Sequence, residues 1–476
     1  MTACLMVSAA HKSSGKTMVT VGLAAAFSAR GLAVQTFKKG PDYIDPLWLA
    51  QASGRPCFNL DPHLSPLAEM TGAFARRSTG TDLALIEGNK GLYDGLALDG
   101  SNSNAAVAVA LRAPVALVLD ARGMTRGIAP LILGYQAFDR NVHIAGVILN
   151  RLGGARHEAK LRAVIAHYTD VRVLGAIQES DALALDERHL GLIPATEHAG
   201  ASAAVERIGA AIADQVDLDA VLAAARTAPT AADRHAARRP HAPNASHARV
   251  RIGIARDRAF GFYYADDFDA LRAAGAELVF FDTLRDARLP PIDALFIGGG
   301  FPETAAAALE ANATLRTELA AAIDAGLPTY AECGGLMYLA RSLTVAGHRY
   351  AMVGAIAGDV RMHPRPVGRG YVELEATGHA PWPATTDGAT AVRGHEFHYS
   401  SLDNLPPDVR FAWRVRRGHG IDGRHDGLVH RNLVASYTHL RSAGACCWAR
   451  QFVAFARRAG CAAVPMPPAR AVRAVA

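Results

Sequence analysis

The stretch ACLMVSAAHKSSGKTMV (Ala3–Val19) decides the fold. It holds an apolar run, a small polar loop closed by Gly15-Lys16-Thr17, and the start of a helical pattern over Met18–Arg30. An apolar run this short, ending in a turn, suits a strand buried in a sheet. A phosphate-binding loop needs this placing: backbone N–H groups wrap the anion, and a helix N-terminus adds the positive end of its dipole. In this reading Lys12, Ser13, Ser14 and Gly15 cradle a nucleotide. Lys16 reaches the terminal phosphates and the Thr17 hydroxyl ligates magnesium. Ala10 stands where the pattern has its first Gly, so the tight start of the loop is made with a Cβ present. A plain polar turn is the competing reading, and Gly-Lys-Thr at a strand-to-helix junction weighs against it.

Outward from this loop, to about residue 225, short apolar runs alternate with helical stretches. LAVQTFK, DLALIEG, PVALVLDA and HIAGVILN read as further buried strands. The alternation predicts an α/β domain, a parallel sheet covered by helices, with ligands beyond the carboxyl ends of the strands. Residues 227–247 lose the hydrophobic period and gather Pro, Ala, His and Arg, the composition of a linker. A second α/β set follows in VRIGIAR, ELVFFD, DALFIGG and LPTYAEC, with a helical stretch at 302–325 and short β-like runs over about 343–440. The expected division is a nucleotide-binding domain over 1–226, a linker over 227–248, a second domain over 249–458 and a tail over 459–476.

The 476 residues suit two domains of roughly 200 each. Half are hydrophobic and 20% are charged, and no apolar run reaches the roughly 18–20 residues of a membrane span. The first residues run from apolar straight into Lys and Gly, unlike a secretory leader. Six Cys show neither zinc nor disulfide spacing. A cytoplasmic protein is expected. The net charge of +6 gathers in RHAARRP (234–240) and in the C-terminal RAVRAVA, which favours an anionic small substrate over nucleic acid.

FKKGPDYIDP (Phe37–Pro46) and IEGNKGLYDG (Ile86–Gly95) leave the sheet at the edge that carries the phosphate loop, bringing Asp42, Asp45, Glu87 and Asp94. Magnesium takes hard oxygen ligands, usually one or two carboxylates with phosphate oxygens and water. Asp42 and Asp45 equally suit capping of a helix beginning near Pro46. Glu87, at a strand end in a Gly-rich turn, fits a site better than a cap. Asn150, closing GVILNR, is placed to meet a purine base, although Asn also favours such turns.

PTYAECGGLMYL (Pro328–Leu339) reads as strand, sharp turn and helix, with Cys333 at the turn. Small neighbours permit a strained corner and a helix N-terminus favours the thiolate, so Cys333 is a candidate nucleophile. Ala331 replaces the usual small Gly two places earlier. DALFIGGGFPE (Asp293–Glu303) offers backbone donors for an oxyanion at its three glycines, Gly298–Gly300. His439 in VASYTHLR is the leading base, with His395 and His398 in RGHEFHYS as competitors. Cys446 and Cys447 lie in an apolar helical run and read as core.

These motifs together resemble the cobyrinate a,c-diamide synthase family across nearly the whole chain. HKSSGKT, FKKGPDYIDP, EGNKGLYDG, GVILNR, ARDRAFGFYY, FIGGGFPE, AECGGLMYL, GHEFHYS and ASYTHL carry the likeness, in the same order. The resemblance implies a phosphate-loop domain of the dethiobiotin synthetase type and a class I-type glutamine amidotransferase domain. It implies a carbon–nitrogen ligase in which Cys333 attacks L-glutamine with His439 as base. Gly299, Gly300 and Gly334 would hold the oxyanion. ATP and Mg2+ would convert a corrinoid carboxylate into an acyl phosphate that ammonia displaces. Thr17, Asp42 and Glu87 would hold the metal, and Asp45, Asp94 and Tyr43 would face the tetrapyrrole substrate. A homodimer is compatible with this.

Two departures stand out. Common class I amidotransferases carry a Glu two residues beyond the catalytic His, where this chain has Arg441, so a dyad with an unknown orienting group is expected. Asn89–Lys90 replaces an apolar pair between Gly88 and Gly91, a version associated with sirohaem amidation in sulfur-oxidising bacteria. Sirohaem, or a related tetrapyrrole, therefore competes with cobyrinate or hydrogenobyrinate as substrate. A non-enzymatic ATP-dependent switch with a decayed glutaminase is the reading from a different class.

Overall fold

The structure, a computed structural model, describes residues 2–185, 187–188, 191–198, 200–228, 249–385 and 391–462. Most of the expected linker (229–248) and of the tail (463–476) lies outside the described residues. The chain forms two compact units. One holds the N-terminal half together with Gly261–Asp269 and Arg441–Ala445, and the other holds the remainder of the C-terminal half.

In the first unit seven strands form one sheet. Numbered along the chain they are β1 (Ala3–Ala9), β2 (Val34–Lys39), β3 (Phe58–Leu60), β4 (Leu83–Glu87), β5 (Val115–Asp120), β6 (Ile144–Leu152) and β7 (Val173–Gln178), in the spatial order β3-β2-β4-β1-β5-β6-β7. All pairings are parallel. Every residue of β1 is buried. Leu5 and Val7 enter one apolar core, whereas Cys4 and Met6 enter a second core on the opposite face. That is the side-chain alternation of a strand covered on both sides, and it explains why the run carries no polar face. The expected strands are found within a few residues. β3 and β7 were not anticipated: three residues give no period to read, and VLGAIQ is interrupted by Gly.

The helix after β1, α1 (Lys16–Ala29), starts two residues earlier than the apolar pattern suggests. The second helix, α2 (Ile44–Ser53), has its opening turn capped by Asp42, whose Oδ1 accepts from the N–H groups of Ile44 (3.0 Å) and Asp45 (3.1 Å). Asp45 itself lies inside that turn, two residues beyond where a cap would sit.

The second unit is built on a nine-stranded sheet. Its parallel part runs Ala276–Phe281, Val250–Ala255, Ala294–Ile297, Thr329–Glu332 and Leu433–Ser436. Antiparallel strands His425–His430, Arg410–Arg417, Gly368–Ala376 and Ala391–His398 extend it. The expected helix over 302–325 is broken at Asn312 into Ala306–Ala311 and Ala313–Asp324. The last helix begins at Trp448, so Cys446 and Cys447 precede it; Cys446 is buried and Cys447 half-buried. Among the described residues no helix is long and apolar enough to cross a membrane.

Candidate active sites

Because β1, β2, β4 and β6 are parallel, the loops that follow them leave at one edge of the sheet. The phosphate loop sits after β1 and is held by groups from elsewhere in the unit. Asn150 Nδ2 donates to Ser14 O (2.9 Å), the Arg151 guanidinium donates to Ser13 O (2.9 Å), and Tyr135 Oη donates to Ala10 O. Gly15 has φ +90°, and a Cβ there would lie 2.2 Å from Asn150 Nδ2. Only glycine meets both demands. Asn150 is thus buried against the loop. Ser14 and Lys16 are buried, while Lys12 and Ser13 are exposed. Burial, then the nearby Lys38, brings the Lys16 ammonium down to about 8.

Next to Lys16 lies a buried charge cluster. Lys38 Nζ contacts Asp45 Oδ2, Glu87 Oε1 (2.8 Å) and, more distantly, Asp42 Oδ2 (3.7 Å). Thr17 Oγ1 donates to Glu87 Oε1 (2.7 Å) and reaches Asp45 Oδ2 at 3.4 Å. Burial alone would lower Lys38, but the three carboxylates hold it well above the usual lysine range. Glu87 is pushed up to about 7 by burial, against the pull of Lys38. Burial also carries Asp42 up to about 6. Asp45, half-buried like Asp42, is nevertheless lowered by the charge and hydrogen bond of Lys38.

Among the described residues no group of three or more His, Cys, Asp or Glu is arranged to hold a metal ion unaided. The donor set here, a hydroxyl and carboxylates, is of the incomplete kind that magnesium uses when phosphate oxygens and water fill the rest. Glu87 Oε2, buried and without a hydrogen-bond partner, is an atom such a cation would satisfy. Asp94 lies on the exposed rim, where its carboxylate accepts from Gly91 N (2.8 Å). Tyr43 is buried, its ring stacked on Phe262 (5.6 Å) and tilted against Tyr264 (4.6 Å).

In the second unit three loops leave the same edge of the parallel strands, since Ile297 pairs with Ala331 and Glu332 with Ser436. Cys333 stands at the turn with φ 49° and ψ −100°, a conformation that costs about 1–3 kcal/mol for a residue with a side chain. Its N–H is anchored on Ser436 O (2.7 Å). The glycine loop packs against this corner: a Cβ on Gly334 would meet Gly300 N at 3.0 Å, and one on Gly300 would meet Ala259 O at 1.9 Å. Gly299 is buried beside them.

Of the three candidate imidazoles, His439 is the one brought to the thiol. Burial would lower it, yet hydrogen bonds to Cys333 and Glu332 raise it to about 10. His395 pairs with His439 through backbone hydrogen bonds in both directions (3.1 and 2.7 Å), and burial pushes its ring down to about 3. His398 stacks on Tyr437 at 3.8 Å, with Nδ1 against Ser400 O (2.8 Å). Arg441, at the position of the common triad Glu, directs its guanidinium to Asp266 and to Asn59 O.

Two models of known families match this layout: a CobQ/CobB/MinD/ParA nucleotide binding domain over residues 5–193, and a CobB/CobQ-like glutamine amidotransferase domain over 251–445. A cobyrinate a,c-diamide synthase of Magnetococcus marinus is 46% identical over 459 residues, covering 96% of this chain and 97% of that protein. The chain belongs to the cobyrinate a,c-diamide synthase family. Further members so named include one from Methanosarcina acetivorans, 40% identical and covering 92% of each chain. Another, from Listeria monocytogenes, is 38% identical over 92% of this chain and 95% of its own. Cobyrinate a,c-diamide synthase membership makes the chain an enzyme that joins a nucleotide-binding to a glutamine amidotransferase domain, in agreement with the ligase expected from the sequence.

Four residues of the two sites carry no motif of their own in the sequence. Arg151 and Tyr135 brace the phosphate loop, Lys38 neutralises its carboxylates, and Glu332 meets His439. Lys38 and Glu332 did leave a signal, each being a charge at the end of a strand otherwise fit for burial.

Proposed function

We propose that this enzyme uses ATP and glutamine to amidate the a and c side-chain carboxylates of cobyrinate, or of hydrogenobyrinate, in cobalamin biosynthesis. The observation that carries the reading is the strained Cys333 thiol hydrogen-bonded to His439, in a chain whose other unit bears a braced phosphate loop. In the glutaminase, the Cys333 proton passes to His439 and Sγ attacks the glutamine amide carbon. Backbone N–H groups of Gly299, Gly300 and Gly334 receive the oxyanion. The imidazolium returns its proton to the leaving nitrogen, ammonia departs, and water hydrolyses the thioester to glutamate.

In the nucleotide-binding unit, Lys16 and the loop N–H groups, with Lys12, Ser13 and Ser14, hold the phosphates. Any contact of Asn150 with the base falls to its amide oxygen, since Nδ2 is engaged with the loop. Thr17, Glu87 and Asp42 would hold magnesium, which when bound offsets charge building on the transferred phosphoryl group. Asp45, Asp94 and Tyr43 face the substrate. A substrate carboxylate oxygen attacks the γ-phosphorus and ADP leaves; ammonia then adds to the acyl carbon of the acyl phosphate, loses a proton, and phosphate departs to leave the amide.

Asn89–Lys90 favours sirohaem as a second substrate reading. Phosphate release from ATP, with glutamine and each tetrapyrrole supplied in turn, tests both. Turnover on cobyrinate or hydrogenobyrinate supports the first. Turnover on sirohaem alone replaces it with the second.

A further inference from the structure

Class I glutaminases orient the catalytic imidazole with a carboxylate two residues further along the chain, and here that place holds Arg441, whose guanidinium is engaged with Asp266 and Asn59 O. A carboxylate nevertheless reaches the ring from another direction. Glu332, the residue immediately before Cys333, ends the strand Thr329–Glu332, which runs parallel to Leu433–Ser436 with Glu332 opposite Ser436. His439 follows that neighbouring strand by three residues, so the register alone sets the two side chains at one edge. Glu332 Oε2 lies 3.2 Å from His439 Nδ1. The pair is buried, with side-chain exposures of 3% and 4%.

We propose that Glu332 is the positioning residue of the glutaminase, so that a Cys333–His439–Glu332 triad is assembled from a carboxylate adjoining the nucleophile. The proposal rests on the Cys333–His439 reading above and adds its third member.

The geometry fixes what Glu332 does. Its Oε1 is occupied by two donors, Tyr330 Oη (2.7 Å) and Leu440 N (2.8 Å), so the carboxylate cannot rotate away. Only Oε2 is left for His439, and a carboxylate there accepts Nδ1–H. That places the neutral ring's proton on Nδ1 and its lone pair on Nε2, facing the thiol. When the Sγ–H bond breaks and Nε2–H forms, the ring becomes a cation with Glu332 beside it. Hydrogen bonds and charge from Cys333 and Glu332 together outweigh burial and raise His439 to about 10, which favours the imidazolium that this transfer produces. The other ring packed close, His395, is driven neutral by burial and by His439, so it adds no competing positive charge.

Glu332→Gln gives a sharp test, because the same two donors decide which way the amide sits. Leu440 N can only donate and so requires an acceptor, which keeps the amide oxygen on that side, with Tyr330 Oη, and turns the NH2 to His439. Nδ1 must then accept, the ring proton moves to Nε2, and the base faces the thiol with no lone pair. An analogous carboxylate-to-amide change in a serine triad costs about 10^4-fold through the same wrong tautomer.

The measurements are glutamine hydrolysis and alkylation of Cys333 by iodoacetamide, each across pH 5–10. Alkylation is read on the Cys333 peptide by mass spectrometry, so the other cysteines do not contribute. Amidation with free ammonium in place of glutamine reports folding. Expected for Glu332→Gln is a loss of about 10^3-fold or more in glutaminase kcat near neutrality, with KM little changed. The alkylation profile moves to higher pH, and ammonium-dependent amidation persists. Glu332→Asp keeps the charge at a longer reach and recovers part of the rate. A Glu332→Gln enzyme with the wild-type pH profile and a rate within a few-fold overturns the proposal. Should that variant fail to fold, Glu332→Asp decides: a displaced profile supports the triad and a wild-type one overturns it. If the unmodified protein neither hydrolyses glutamine nor alkylates at Cys333, the underlying glutaminase reading has failed instead.

Discussion

Gly15 is held at φ +90° with Asn150 Nδ2 only 2.2 Å from where a Cβ would stand. Gly15→Ala therefore meets two separate costs, about 1–3 kcal/mol of backbone strain and displacement of the Asn150 brace. Nucleotide binding, measured by calorimetric titration with ATP, should fall at least ten-fold. Adding Asn150→Ala removes the clash and leaves the strain, so it should restore only part of the affinity. His439 supports a prediction in pH. Its folded value of about 10 lies above the usual 6.5 of histidine. In that window the native state binds a proton that the unfolded chain has released. The stability it contributes is full below 6.5 and is lost as pH rises through about 10. The difference in thermal midpoint between the wild type and His439→Asn, which cancels titrating groups that do not touch His439, should shrink from pH 6.5 to 10. A difference independent of pH would contradict a protonated His439.

At the scale of elements, the phosphate loop is a short segment fastened by its neighbours. Asn150 at the end of β6 and Tyr135 on the helix Ile128–Phe138 each bond a loop carbonyl. Removing either bond costs about 0.5–1.5 kcal/mol, so Asn150→Ala and Tyr135→Phe should each raise the KM for ATP several-fold and leave glutamine hydrolysis unchanged. An unaltered KM in both would mean that the loop holds its shape alone. These braces also mark where sequence reading stops. The strand β1 was legible because a doubly buried strand must be apolar throughout, and Gly-Lys-Thr because phosphate chemistry constrains it. Arg151 and Tyr135 act through sequence separations of 138 and 125 residues, which no local pattern records. The glutaminase shows the same limit: the Cys333 corner was legible from its small neighbours, but the orienting carboxylate depends on the register between two strands about a hundred residues apart. Asp42, which the sequence suits to either cap or ligand, does cap α2 while lying 3.7 Å from Lys38.

Over the whole molecule, each unit carries its own sheet, core and reactive groups, so the two half-reactions should separate by mutation. Lys16 lies in the first unit and Cys333 in the second. Lys16→Ala should reduce ATP-dependent amidation by 10^2-fold or more, as loss of a preorganised charge on a transferring phosphoryl group does, while glutamine hydrolysis continues. Cys333→Ala should abolish glutamine use, yet amidate with ammonium salts at a rate that climbs with pH, because only the unprotonated amine is a nucleophile. An equimolar mixture of the two variants then joins the halves through ammonia released into solution. That mixture should be slow and should stop when an ammonia-consuming dehydrogenase is added. The wild type should resist the same scavenger if nitrogen passes within one molecule. Loss of both nitrogen sources in a folded Cys333→Ala protein would contradict the division between a unit that activates carboxylate and a unit that liberates ammonia.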